Sequence, residues 1–377
     1  MTVYLDYAAT TPVDARVAEL VRRYMVEEYG NAGSRSHEAG ARAKRAVGRA
    51  REQVASVVGV HPSEVTFTSG ATEANNLAIL GLAEHGRREG RTHVLTTAME
   101  HKSVLEPVRF LGRRGFDVTV VRPEASGVVD PERLRAAVRE DTLLVSCMHV
   151  NNETGAVQPI SEVADLLGEH PAFLHVDAAQ SFGKVLAGLE HPRIDLVSLS
   201  GHKVFAPKGV GALVARRRGR LRPPLTPLMF GGGQERKLRP GTLPVPLVAG
   251  LGLAVELALA EHEERVAACG RFREGLVAGL SPLKPVWNVE PARCVPHIAS
   301  LAFPGVDSEA AMLALKGVIA VSNGSACTSS SHEPSHVLKA MGVEPERLDS
   351  TLRLSWAHDT PTPDWEAVVA ALRRLGA

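Results

Sequence analysis

Phe173-Leu174-His175-Val176-Asp177-Ala178-Ala179-Gln180 and Leu196-Val197-Ser198-Leu199-Ser200-Gly201-His202-Lys203 share one plan: an apolar run of strand length that ends in small and polar residues. A strand that is apolar on both faces is covered on both faces, as in a parallel sheet packed between helices. Working outward, the same plan recurs at residues 65–68, 94–97, 118–121, 143–148 and 211–215. Helical patterns fall between these runs at 72–85, 103–113, 131–139 and 160–167, with proline or glycine at several junctions. The alternation predicts an α/β fold with a mostly parallel central sheet covered by helices. Ligands then belong at the carboxyl ends of the strands.

A basic, proline-rich stretch over 216–227 and the run Gly231-Gly232-Gly233 interrupt the alternation. A helix-like segment over 245–269 reads as one long connector into a smaller α/β unit, with strands near 299–303 and 352–355. The expected division is an N-terminal segment 1–15, a large cofactor-binding domain 16–258 and a small C-terminal domain 259–377.

At 377 residues and 44% hydrophobic composition the chain can bury a large core. Its 43 basic and 42 acidic residues nearly cancel, so no strong direct nucleic-acid binding is expected. No apolar run approaches the roughly 20 residues of a membrane-spanning helix. The stretch Met1-Thr2-Val3-Tyr4-Leu5-Asp6 lacks the basic and apolar regions of an export signal, and a cytoplasmic location is the expectation. Cys147, Cys269, Cys294 and Cys327 are far apart, which suggests neither a disulfide framework nor a metal site.

Several strand ends carry candidate chemistry. Thr68-Ser69-Gly70-Ala71-Thr72-Glu73 follows a strand and opens a helix, so its amides and the helix's positive end suit a phosphate. A plain helix cap by Ser69 or Thr72 explains the same residues equally well. Asp177 arrives at the sheet edge, where an aspartate can pair with a protonated ring nitrogen and keep the ring electron-withdrawing; a cap or a metal ligand is the alternative. Lys203 follows a Ser/Gly/His turn on that edge and is the candidate for a Schiff base, although most lysines are solvated surface groups. Ser200 and His202 can reach a phosphate beside residues 69–72. His101, at the end of the segment 94–100, suits ring stacking and proton transfer. Asn151 and Asn152 place amides on the same edge, though a turn also accounts for them. Histidine, asparagine, aspartate and lysine thus converge on one predicted crevice.

Five ordered stretches resemble one family along the whole chain. They are Leu5-Asp6-Tyr7-Ala8-Ala9-Thr10-Thr11-Pro12, the turn at 68–73, Asn151-Asn152-Glu153-Thr154-Gly155, Ser200-Gly201-His202-Lys203, and Gly324-Ser325-Ala326-Cys327-Thr328-Ser329. The family is the cysteine desulfurases, class V aminotransferase-like enzymes of pyridoxal-phosphate fold type I. The resemblance implies that Lys203 carries pyridoxal 5'-phosphate as a Schiff base and that Asp177 holds the pyridine nitrogen. It places Gln180 and Asn152 near the ring oxygen and the substrate, and His101 over the ring. Ala71, Thr72, Ser200 and His202 are implied phosphate contacts, and Thr242 resembles one supplied by the neighbouring subunit of a homodimer. Arg353 matches the family's substrate-carboxylate arginine, for which a guanidinium fork is apt.

Cys327 lies in a small, polar run that reads as a mobile exposed loop, whereas Cys147 sits in an apolar strand. With the cofactor assigned, Cys327 gains a reason to react: its thiolate attacks the sulfur of bound L-cysteine, giving L-alanine and an enzyme persulfide. An acceptor protein then takes the sulfur. The neighbourhood of Pro240, within 231–246, and Pro296-His297-Ile298 look closer to the branch that serves DNA phosphorothioation than to the housekeeping branch for iron–sulfur assembly or tRNA thiolation. A selenocysteine lyase or cysteine-sulfinate desulfinase, and an inactive scaffold of the same fold, are the competing expectations.

Overall fold

The computed structural model describes residues 2–323 and 334–376. Seven strands form the main sheet, in the spatial order Val65–Thr68, Gly211–Ala215, Leu196–Ser200, Phe173–Asp177, Thr142–Ser146, His93–Thr97 and Asp117–Val121. Only Gly211–Ala215 runs antiparallel to its neighbours; the other pairs are parallel. Every residue of the Phe173–Asp177 and Leu196–Ser200 strands is buried. That burial is what two-sided apolar runs require.

Helices cover both faces. On one, Val47 and Val54 of the Glu38–Val57 helix join Val248 and Leu251 of the Val245–Ala260 helix against Val176 and Leu199. On the other, Leu77 of the Ala71–Leu80 helix and Val104 and Val108 of the Lys102–Gly112 helix pack on Leu144, Leu196 and Leu213. The architecture is thus the expected α/β one: a mixed, mostly parallel sheet between two helical layers.

Two helical expectations change. Residues 72–85 form not one helix but two, Ala71–Leu80 and Ala83–Arg88, divided at Gly81. The expected connector over 245–269 is also two helices, Val245–Ala260 and His262–Leu280, and the chain bends by 73° between them. Glu261 leaves helical geometry at the corner, where its carboxylate pairs with Arg16 and with Arg265 at 2.7 Å. No glycine or proline marks that corner; there the Glu261 carboxylate joins Arg265, four residues on, to Arg16 of the Ala15–Val26 helix.

A second core gathers Leu276, Leu280, Leu301, Leu352, Trp356 and Val368 around an antiparallel sheet of Val286–Trp287, Ile298–Ala302 and Thr351–Ser355. Leu5 is buried in this same cluster, while Ala8 packs with Val150 and Ile298. The N-terminal segment therefore runs between the two cores, beside the carboxyl edge of the main sheet. Among the described residues no single helix is long and apolar enough to cross a membrane.

Candidate active site

At that edge a cavity of about 540 Å³ is lined by Ala71, Thr72, His101, Asn152, Asp177, Gln180, Ser200, His202 and Lys203. Nine side chains expected from separate stretches thus meet in one place.

Lys203 ends a single turn, Gly201–Lys203, that follows the Leu196–Ser200 strand. Its Nζ donates to the carbonyls of Ala8 and, at 2.6 Å, Ala9. Gln180 Nε2 donates to the same Ala8 carbonyl at 2.8 Å. Ala8, Ala9 and Thr10 also line the cavity. The sequence reading used this segment only as a family mark and missed it as a wall, because a carbonyl contact 194 residues away leaves no local pattern.

Asp177 closes the Phe173–Asp177 strand. Its Oδ1 accepts from the Ala179 N–H at 2.9 Å and its Oδ2 from Asn75 Nδ2 at 2.7 Å. Hydrogen bonds at both oxygens fix the carboxylate's orientation. His101 does not extend a strand, since the His93–Thr97 strand ends four residues earlier. It caps the Lys102–Gly112 helix instead, its Nδ1 accepting from the Ser103 N–H at 3.1 Å. Burial holds the His101 pKa below the ordinary histidine value; the Asp177 charge opposes this and Lys203 adds to it.

The two asparagines divide. Asn151 is fully buried, and its Oδ1 accepts from the N–H groups of Glu153 and Thr154, both at 2.9 Å, so it builds the turn. Asn152 faces the cavity, and its carbonyl accepts from Arg353 Nη1 at 3.0 Å.

The turn at 68–73 was open to reading as a self-capped helix start. Gly70 caps the Ala71–Leu80 helix without any side-chain hydrogen bond, and Glu73, not Thr72, accepts from the Ser69 N–H at 2.8 Å. The first-turn amides thus remain open toward the cavity. The turn lies directly on the antiparallel strand: a Cβ on Gly211 would come within 2.6 Å of Gly70 Cα and 2.4 Å of the Leu199 carbonyl oxygen. Only glycine allows that approach. Ser200 and His202 stand beside the turn, and His202 Nδ1 lies 3.1 Å from Thr10 Oγ1. Burial, reinforced by Lys203, pushes the His202 pKa down to about 4, so a neutral imidazole offers an N–H there rather than a charge.

Two expected residues stand elsewhere. Arg353 is almost wholly buried behind the cavity wall, with Nη2 on Asp6 Oδ1 at 2.6 Å. Thr242 is exposed and does not line the cavity of its own chain. Cys327 lies outside the described residues.

Glu100 is a further residue the sequence reading passed over. It is fully buried, Oε1 accepts from the Thr97 hydroxyl at 2.6 Å and the Met148 N–H at 2.9 Å, and Oε2 has no hydrogen-bond partner among the described residues. Burial pushes its carboxyl up to about 8. His336 Nε2 donates to the Glu100 carbonyl at 2.9 Å, and Glu153 accepts from the Ser335 hydroxyl. These contacts seat the chain at 335–336 beside the cavity.

Residues 3–368 match the family model for class-V aminotransferases. Relatives named cysteine desulfurase IscS are 44% identical in Vibrio cholerae, over 99% of this chain and 92% of that protein, and 48% identical in an Anaeromyxobacter species, over 97% and 90%. Among solved structures, a NifS-like protein superposes with a TM-score of 0.89 at 37% identity, covering 100% of this chain and 98% of the other. DndA from Streptomyces lividans gives a TM-score of 0.82 at 52% identity, covering 96% and 99%. The chain belongs to the class-V aminotransferase family. It is a pyridoxal-phosphate-dependent cysteine desulfurase.

The residues present fit that cofactor. Gln180 Oε1 is buried beside the cavity with no hydrogen-bond partner among the described residues, as a ring hydroxyl would require of it. The uncapped helix start suits the phosphate, and Lys203 and Asp177 suit the aldehyde carbon and the ring nitrogen.

Proposed function

We propose that this cysteine desulfurase transfers the sulfur of L-cysteine to Cys327 as a persulfide and then to an acceptor protein serving DNA phosphorothioation. The observation that carries the chemistry is the convergence of Lys203, Asp177, His101 and Gln180 on one cavity beside an uncapped helix start. Bound pyridoxal phosphate supplies an aldehyde for the substrate amine and a ring that draws electrons from the α-carbon. Asp177 orients the ring through its nitrogen. Lys203 carries the α-proton away and returns it to carbon. His101, kept neutral by burial, stacks on the ring and moves a proton through its imidazole. Asn152 and Arg353 take the substrate carboxylate, while Ala71, Thr72, Ser200 and His202 take the phosphate. The Cys327 thiolate attacks the substrate's sulfur, the carbon–sulfur bond breaks, and L-alanine leaves.

Thr242, exposed in its own chain, is assigned to the phosphate of the neighbouring copy in a homodimer. The phosphorothioation destination draws support from the likeness to DndA at 52% identity and from the sequence around Pro240. The housekeeping role in iron–sulfur assembly or tRNA thiolation draws equal support from the IscS relatives.

The test loads wild type and Cys327→Ser with sulfur-labelled cysteine. Label should stay on the wild-type protein in a form released by reductant, while Cys327→Ser keeps its bound cofactor and retains no label. Persistent label on the variant refutes the assignment. Offering the loaded enzyme a phosphorothioation component and an iron–sulfur scaffold then decides the destination, by which of them acquires the label.

A further inference from the structure

Asn75 is fully buried within the Ala71–Leu80 helix, one turn beyond the residues assigned to the phosphate. Its Nδ2 donates to Asp177 Oδ2 at 2.7 Å and to Ser103 Oγ at 2.9 Å, which uses both amide hydrogens. The carboxylate settles the amide's orientation, because only the NH2 end can face it. Ser103 accepts from Asn75, so its own hydroxyl hydrogen is left for His101 Nδ1, 2.7 Å away. The Ser103 N–H donates to that same Nδ1 at 3.1 Å. With two donors converging on it, Nδ1 is an acceptor, and the hydrogen of the neutral ring sits on Nε2. The charged groups around His101 are Asp177, Lys203, His336 and Lys102.

Asn75 and Ser103 thus form one hydrogen-bonded bridge between the carboxylate and the imidazole that face the cavity. The bridge has a cost: Asn75 Oδ1 is buried without a hydrogen-bond partner among the described residues. An apolar side chain of similar size would avoid that cost, so the amide's two donors are the part of Asn75 that the site uses.

We propose that Asn75 is a positioning residue which holds Asp177 toward the cofactor's ring nitrogen and, through Ser103, fixes His101 as its Nε2–H tautomer. This rests on the roles given above to Asp177 and His101.

The experiment uses full-length protein with nitrogen-15 histidine, first without cofactor and then loaded. In the unloaded wild type, long-range proton–nitrogen correlation should report His101 as Nε2–H. Ser103→Ala removes the hydroxyl donor and keeps the backbone N–H on Nδ1, so the Nε2–H signal should remain the main one while a measurable Nδ1–H population appears beside it, with the Asn75–Asp177 bond left in place. Asn75→Leu should disturb the tautomer and also shift the pH midpoint of the bound cofactor's visible band, by about one unit, as expected when one hydrogen bond to a charged group is lost. If Asn75→Leu does not fold, Ser103→Ala alone decides the tautomer claim. An unchanged His101 signal in Ser103→Ala, or an unmoved band in folded Asn75→Leu, overturns the inference. Asp177→Asn separates the two levels: if it moves the band and Asn75→Leu does not, the bridge fails and the role of Asp177 stands. If Asp177→Asn leaves the band in place, the underlying assignment has failed.

Discussion

The Arg353 guanidinium, 1% exposed, meets the Asp6 carboxylate at 2.6 Å and joins the Thr351–Ser355 strand to the N-terminal segment. The same arginine holds the Asn152 carbonyl at 3.0 Å, so one side chain fastens the wall behind the cavity from two sides. A lysine at 353 cannot reach both groups in that geometry. Arg353→Lys is expected to lower the melting temperature and to raise KM for cysteine about tenfold, the effect of losing one charge-assisted hydrogen bond to the substrate carboxylate. Asp6→Asn leaves the buried guanidinium without its counter-charge and should cost about 3–5 kcal/mol in urea unfolding. A variant as stable as wild type would show that the pair contributes nothing.

Lys203 is expected to be the covalent anchor. Borohydride treatment of the loaded wild type should fix the cofactor to the chain, and mass spectrometry should find it on the peptide bearing Lys203. Lys203→Ala should bind the cofactor without being trapped by borohydride; a trapped variant would move the anchor to another lysine.

Glu100 makes stability depend on pH in a definite direction. Its carboxyl titrates near 8 in the fold against an ordinary 4.5, so the folded protein keeps a proton that the unfolded chain has released. The stability this contributes is present below the ordinary value and is lost as pH rises toward about 8. Glu100→Gln removes that dependence. Relative to wild type it should gain about 1.4 kcal/mol for each pH unit within that window, read by denaturant unfolding at several pH values. Parallel stability curves for the two proteins would refute the raised carboxyl.

Acid should act through the histidines with the opposite sign. Burial pushes His149 and His175 down to about 4, and His202, with lysine neighbours as well, to the same value. Between about 6.5 and about 4 the unfolded chain binds protons that the fold refuses, so stability falls as pH falls. His175→Gln should flatten that part of the curve. His175 is held by Ser146 at 2.8 Å and Ser198 at 3.0 Å inside the sheet, and glutamine retains a donor and an acceptor for them.

The sheet was legible because its strands carry their burial in their own residues: Phe173–Asp177 and Leu196–Ser200 are rich in large apolar side chains, with His175 and Ser198 bonded to each other between them, and end beside the groups that face the cavity. Lys203 and Asp177 were legible for the same reason, since a strand end fixes a residue's place, whereas His101 reaches the cavity as the cap of the Lys102–Gly112 helix and not as the end of a strand. Asn75 was not legible, because one amide in an otherwise helical run announces nothing until Asp177 and Ser103 are brought beside it. Ala8 and Ala9 act through backbone carbonyls, which no residue type encodes. The corner at Glu261 escaped because helix-forming residues continue through it, and its one long-range contact, with Arg16, lies 245 residues away.

The contact between Gly70 and Gly211 sets a limit on how this chain can be redesigned. A single methyl group at 211 would press on the Leu199 carbonyl and on the turn that opens toward the phosphate, so Gly211→Ala is expected to cost about 1–3 kcal/mol and to weaken cofactor retention in dialysis. An engineer grafting this cavity onto another scaffold would therefore have to carry over the antiparallel strand along with the turn, because the strand gauges how closely the turn can approach the sheet.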